Sequence, residues 1–141
     1  MKTYSQKGNE IKREWWLIDA GSMPLGKLAV VIADKLMGKS KVTYTPHIDN
    51  GDFVVVVNAK NLVVTGDKMI QKKYYRHSGY PGGIKELRLE EVIEKEPARA
   101  IVEAVKGMMP KNKLASERLK RLRVFAGAEH THVAQNPKEI K

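Results

Sequence analysis

Phe53-Val54-Val55-Val56-Val57 is apolar on every residue. A strand on a half-solvated sheet alternates apolar and polar residues, so an unbroken run of β-branched residues belongs to a strand covered on both faces. That favours a parallel sheet with layers above and below it. Upstream, Trp15-Trp16-Leu17-Ile18-Asp19-Ala20 reads as a second strand, ending at Gly21. Leu25, Leu28, Ala29, Ile32 and Leu36 then recur at helical spacing. Gly38 closes that helix, with Lys35 in the last turn, where the helix dipole favours a cation. Asp49-Asn50-Gly51-Asp52 reads as the turn into the Phe53 strand. Asn61-Leu62-Val63-Val64-Thr65-Gly66 reads as a further short strand.

Downstream the pattern changes. Lys72-Lys73-Tyr74-Tyr75-Arg76-His77 is polar and aromatic, and Tyr80-Pro81-Gly82-Gly83 is turn chemistry. The segment 72–89 is expected to leave the sheet as an irregular hairpin. A short acidic helix follows from Leu89 to Glu94. Pro97 fits a first helical position, and Ile101, Val105 and Met108 form a stripe that Gly107 and Pro110 terminate. In 113–123, Ala115, Leu119 and Leu122 form an apolar face, with Lys113, Lys120 and Arg121 expected on the far side. Val124-Phe125-Ala126 is a candidate last strand, and 127–141 has little periodicity. The expected fold is α/β: a three-layer sandwich with a mostly parallel four-stranded sheet flanked by helices, plus a basic hairpin excursion. One domain spans 1–141, with a core of about 13–127 and an extended tail at 128–141.

The chain has 141 residues, with 26 Lys and Arg against 16 Asp and Glu, a net charge of +10. With no Cys, thiol catalysis, Cys-based zinc sites and disulfide scaffolds are excluded. No apolar run is long enough to span a membrane, and the N-terminus lacks a signal-peptide core. An intracellular protein with a polyanionic partner is expected. The charge is unevenly placed. Residues 67–88 hold six basic and two acidic residues, and residues 106–123 hold seven and one. Between them, 89–105 holds two basic and five acidic residues. A bipartite polyanion-binding face accounts for this pattern, provided that folding joins the two segments.

Several motifs compete for attention. Gly21-Ser22-Met23-Pro24-Leu25-Gly26-Lys27-Leu28 has the spacing of a phosphate-binding loop between a strand and a helix. Leu28 stands where Ser or Thr would ligate Mg²⁺, and Pro24 removes a backbone donor. It remains the alternative reading, a nucleotide-binding protein. His47, His77, His130 and His132 lack metal-ligand spacing, and a hydrogen-bonding role to protein or RNA is expected for them. Asp49 and Asp52 sit in too incomplete a pattern for a calcium loop. Lys72-Lys73-Tyr74-Tyr75-Arg76-His77-Ser78-Gly79 combines cations, rings, a hydroxyl and glycine, the chemistry that contacts phosphates and unpaired bases. Because neighbours on a strand face opposite ways, one of Tyr74 and Tyr75 is expected to pack inward. Lys106-Gly107-Met108-Met109-Pro110-Lys111-Asn112-Lys113 is a helix end leading into a basic connector. With Arg118, Lys120, Arg121 and Arg123 it forms an expected basic strip.

These blocks resemble the bacterial-type large-subunit ribosomal protein family L-thirteen. The resemblance rests on Tyr44-Thr45-Pro46-His47, Gly51-Asp52-Phe53 through Ala59, Val64-Thr65-Gly66, and Tyr74-Tyr75-Arg76-His77-Ser78-Gly79 with Gly82-Gly83. It rests also on Val105-Lys106-Gly107-Met108-Met109-Pro110, and on Phe125-Ala126-Gly127-Ala128-Glu129-His130-Thr131-His132 with Ala134-Gln135. It implies a parallel-sheet core, no catalysis, no cofactor and no metal. It implies a cytoplasmic ribosomal location, one copy bound to large-subunit rRNA beside neighbouring ribosomal proteins, and a part in early assembly. No membrane or small-molecule substrate is implied. RNA-contacting candidates are then Lys39, Lys41, Tyr44, His47, Lys68, Lys72, Lys73, Tyr74, Tyr75, Arg76, His77, Ser78 and Gly79. Lys106, Gly107, Met108, Pro110, Lys111, Lys113, Arg118, Lys120, Arg121, Arg123, His130 and His132 complete the set.

Overall fold

The computed structural model describes residues 3–140. Strand β1 (Trp15–Asp19) leads into helix α1 (Leu25–Met37), which returns the chain to β2 (Phe53–Val57). A short helix, α2 (Lys68–Gln71), precedes the hairpin β3 (Lys73–His77) and β4 (Ile84–Arg88). Helices α3 (Leu89–Lys95), α4 (Pro97–Met108) and α5 (Lys113–Lys120) follow, then strands β5 (Leu122–Val124) and β6 (Lys138–Ile140).

The main sheet runs β5-β2-β1-β6, with every neighbouring pair parallel. The all-apolar β2 occupies an interior position, and Val54, Val55 and Val56 are fully buried. Ile18, Val54 and Val56 share a core with Leu28, Ile32 and Leu36 of α1 and with Ile101 and Val105 of α4. On the alternate positions, Trp15 stacks on Phe53 with ring centroids 4.3 Å apart. His132 lies 5.0 Å from Trp15 and 5.9 Å from Phe125. Helices α1 and α4 pack on one face, the chain around His130 and His132 covers aromatic residues of the other, and the parallel sheet flanked by helices is consistent with the expected three-layer sandwich.

Two expectations are corrected. The stretch 61–66 forms no strand: Val63 makes an isolated bridge to Pro24 beside a 3₁₀ turn at Ala59–Asn61. The fourth strand comes instead from the tail, where Lys138, Glu139 and Ile140 pair with Trp16, Leu17 and Ile18. Lys138 also pairs with Glu14 at 3.2 Å and lies over the Trp16 ring. The 72–89 excursion is a regular antiparallel hairpin rather than an irregular one. Its base packs through Tyr74 and Leu87 into a second small core with Leu89, Val92 and Ala100 of α3 and α4.

The loop before β2 is held tightly to α1. A Cβ on Gly51 would lie 1.6 Å from the Leu36 carbonyl oxygen, so backbone must pass backbone there. Gly51→Ala is expected to cost about 3 kcal/mol, at the upper end for overpacking because the obstacle is main chain. A denaturant melt of the variant measures it, and an unchanged midpoint would contradict this close approach.

Candidate nucleic-acid interface

The two basic segments meet at the C-terminal end of α4. One open cleft of about 480 Å³ is lined by Lys68 and Lys72 from the first segment and by Gly107 and Met108 from the second. Leu25, Val64 and Ala104 supply apolar wall, and Glu103 is its acid. Glu103 already accepts from Arg99 Nε at 3.0 Å. A separate groove of about 440 Å³, sharing no lining residue with the first, runs along the connector and is lined by Lys106, Pro110, Lys111, Asn112 and Ser116. The break at Met109 and Pro110 ends α4 and turns the chain into α5, which sets these lysines around the turn. Among the described residues, Lys68, Lys72, Lys106, Lys111, Lys113 and Arg123 form no ion pair. Cations without internal counterions are the groups that release salt ions when phosphate approaches.

On the hairpin, Tyr75 is 60% exposed and Tyr74 only 8%, so one tyrosine packs inward as the alternation requires. Burial, reinforced by the charge of Glu103, pushes the Tyr74 hydroxyl above its ordinary pKa, against the opposing effect of Arg99. Tyr74 is thus part of the small core and offers no ring face to a base. Lys73 is tied to Glu86 at 2.5 Å, a pair that raises its pKa. Arg76, His77, Ser78 and Gly79 are exposed at the hairpin tip. Lys85 stands among them on β4, a cation that sequence reasoning left out of the set. The alternation 84–89 marks a strand, and the register then sets Lys85 on the face of Arg76.

The expected strip on α5 is corrected at two positions. Arg118 is 1% exposed and Arg121 6% exposed. Both turn inward to Asp49: Arg121 makes a two-nitrogen contact with its carboxylate, and Arg118 Nε lies 3.6 Å away. Arg121 also donates to the Leu36 carbonyl at 2.9 Å and to the Asp52 carbonyl at 3.3 Å. Lys41 is likewise engaged internally, 2.5 Å from Asp52 and donating to the carbonyls of Lys12 and Asn50. Asp52 in turn accepts from the Glu14 N–H and from Trp16 Nε1, both at 3.0 Å. These cations close the loop 39–52 onto the sheet and do not reach outward. Lys120 is exposed but paired with Glu117 at 2.8 Å. Lys39 and His47 are exposed, with His47 Nε2 3.5 Å from Ser5 Oγ, whereas Tyr44 is half-buried. His130 and His132 are half-buried against Phe125 and Trp15, and the His132 N–H donates to His130 Nδ1 at 3.2 Å.

The loop 21–27 stands between β1 and α1, as a phosphate loop must, but three of its backbone donors are spent within the protein. The Gly21 N–H donates to Asp19 Oδ1, the Ser22 N–H to the Asp19 carbonyl, and the Leu25 N–H to the Val63 carbonyl. The Asp19 carboxylate would also repel a phosphate brought there. Calorimetry with Mg–ATP is expected to show no saturable heat, and Lys27→Ala to change nothing. Saturable binding lost in that variant would restore the nucleotide reading.

A family model described as "Ribosomal protein L13" matches residues 13–131. A relative from Nitrosococcus oceani, "Large ribosomal subunit protein uL13", is 55% identical over 141 residues, covering 100% of this chain and 99% of the relative. A protein with that same description from Maridesulfovibrio salexigens is 53% identical, with coverage of 100% and 99%. One from Pseudomonas putida is 52% identical over the same span. With a match over residues 13–131 and full-length relatives above half identity, this chain belongs to the ribosomal protein L13 family.

Proposed function

We propose that this chain is a non-catalytic structural constituent of the large ribosomal subunit. It binds large-subunit rRNA as a single copy and supports early assembly of that subunit in the cytoplasm. Family membership supports the ribosomal placement. The observation that carries RNA binding is the convergence of Lys68 and Lys72 with Gly107 and Met108 at the end of α4, the same helix end from which Lys106 and Lys111 line a second groove. Lys and Arg neutralise crowded phosphates there, and the folded shape of the RNA supplies most of the selectivity. Exposed Tyr75 is available to stack on an unpaired base. The rigid sandwich holds the cations in fixed relation, which lowers the ordering cost of binding. Neighbouring ribosomal proteins complete its surroundings.

The test is co-sedimentation. Tagged chain expressed in a bacterial host is expected in the large-subunit fraction of a sucrose gradient, retained through a high-salt wash. Free protein at the top of the gradient, with large subunits lacking it, would overturn the reading.

A further inference from the structure

The geometry points to a seat for one phosphate at the tip of the β3–β4 hairpin, gripped jointly by Arg76 and Lys85. This rests on the RNA-binding reading above and specifies what one part of that surface holds. The register places Arg76 directly opposite Lys85, so both side chains leave the same face of the hairpin. Like charges opposed in this way repel each other, and among the described residues neither has an ion-pair partner. The adjacent acid, Glu86, points to the other face and is taken by Lys73. An anion between the two cations removes their repulsion.

The pocket there, about 490 Å³, is lined by Arg76, His77, Ser78, Gly83 and Lys85. It is shaped before any ligand arrives. The Gly79 N–H donates to His77 Nδ1 at 2.9 Å, which braces the turn. The Ser78 N–H donates to the Gly83 carbonyl, and the Gly83 N–H to the Tyr80 carbonyl, each at 3.0 Å. A Cβ on Gly83 would lie 1.9 Å from Ser78 Oγ, so the hydroxyl occupies space that only glycine leaves open. Two cations and a hydroxyl around one polar pocket match the oxygens of a phosphodiester. The buried base, Tyr74 and Leu87, anchors this tip while leaving it projecting.

The salt dependence of RNA affinity counts neutralised phosphates, at about 0.7–0.9 in slope for each. If Arg76 and Lys85 share one phosphate, Arg76→Gln or Lys85→Gln alone leaves the slope nearly unchanged and weakens binding a few-fold. The double variant then loses about one phosphate's worth of slope, 0.7–0.9, and about tenfold in affinity. Losses of that size in each single variant, doubling in the pair, would show two separate phosphates and overturn the shared seat. No change in any variant would remove the tip from the RNA contact while leaving RNA binding itself intact. Titrating the free protein with inorganic phosphate separates the sources. Weak shifts of the Gly79 and Gly83 amide resonances, absent in the double variant, are expected. Absence of these shifts in the wild-type chain would contradict a preformed seat.

Discussion

Asp49→Asn is expected to destabilise the folded chain by roughly 3–5 kcal/mol, because it leaves buried guanidinium groups without their counterion. Asp49 is the carboxylate on which Arg13, Arg118 and Arg121 converge. Arg118 is almost wholly enclosed, and its Nε and Nη2 find no hydrogen-bond partner. Asparagine keeps the shape but not the charge, so the loss is electrostatic rather than steric. The thermal midpoint is expected to fall by about 10 °C or more. Burial pushes the Asp49 carboxyl up, but hydrogen bonding and charge from Arg121, with Arg13, hold it below the usual carboxylate range. A carboxyl held low stabilises the fold fully above its unfolded pKa, near 4, and loses that contribution as pH falls through its folded value. The gap between wild type and variant is therefore widest at neutral pH and closes below about pH 4. Chemical denaturation at pH 7 and pH 3 measures both. An equal gap at the two pH values would contradict the ion-pair account.

The second large effect concerns RNA. Replacing Lys68, Lys72, Lys106 and Lys111 together by Gln is expected to lower affinity for large-subunit rRNA by roughly 10²–10³-fold and the salt slope by about 3. All of these lysines are exposed, so the fold is expected to survive unchanged. The control removes the same charge elsewhere, at Lys7, Lys12, Lys60 and Lys95, which are also exposed. Nonspecific attraction to a basic protein would weaken equally in both variants. A localised face weakens mainly in the first. Equal losses in filter-binding titrations would show that the end of α4 is no privileged contact.

What the chain discloses before folding is what its local pattern governs. β1, α1 and β2 were readable because Trp15 through Asp19, the Leu25–Leu28–Ile32–Leu36 spacing and Phe53 through Val57 each carry their own period. Gly38 closes α1 at φ +75°, as a left-handed cap should. β6 was hidden because Lys138-Glu139-Ile140 has no apolar run. It becomes a strand through the open edge of β1, helped by Lys138 over Trp16 and against Glu14. Arg118 and Arg121 were misread for a related reason. Helical spacing tells which face a residue occupies, but not that a carboxylate 72 positions earlier lies against Arg121. The densest basic stretch of the sequence is thus partly a structural lock. The surface that remains is smaller, and it lies around the end of α4 and along the hairpin. Lys85 was missed because an isolated cation between Ile84 and Glu86 gains meaning only from the strand register.

The most direct measurement is the binding of the purified chain to deproteinised large-subunit rRNA across a salt series. A surface that neutralises six or more phosphates loses about 10³-fold or more in affinity between 50 and 200 mM monovalent salt. That steep fall, with small-subunit rRNA bound far more weakly, is the predicted result. A flat salt response, or equal affinity for both RNAs, would contradict the claim that this cationic face grips a particular folded RNA.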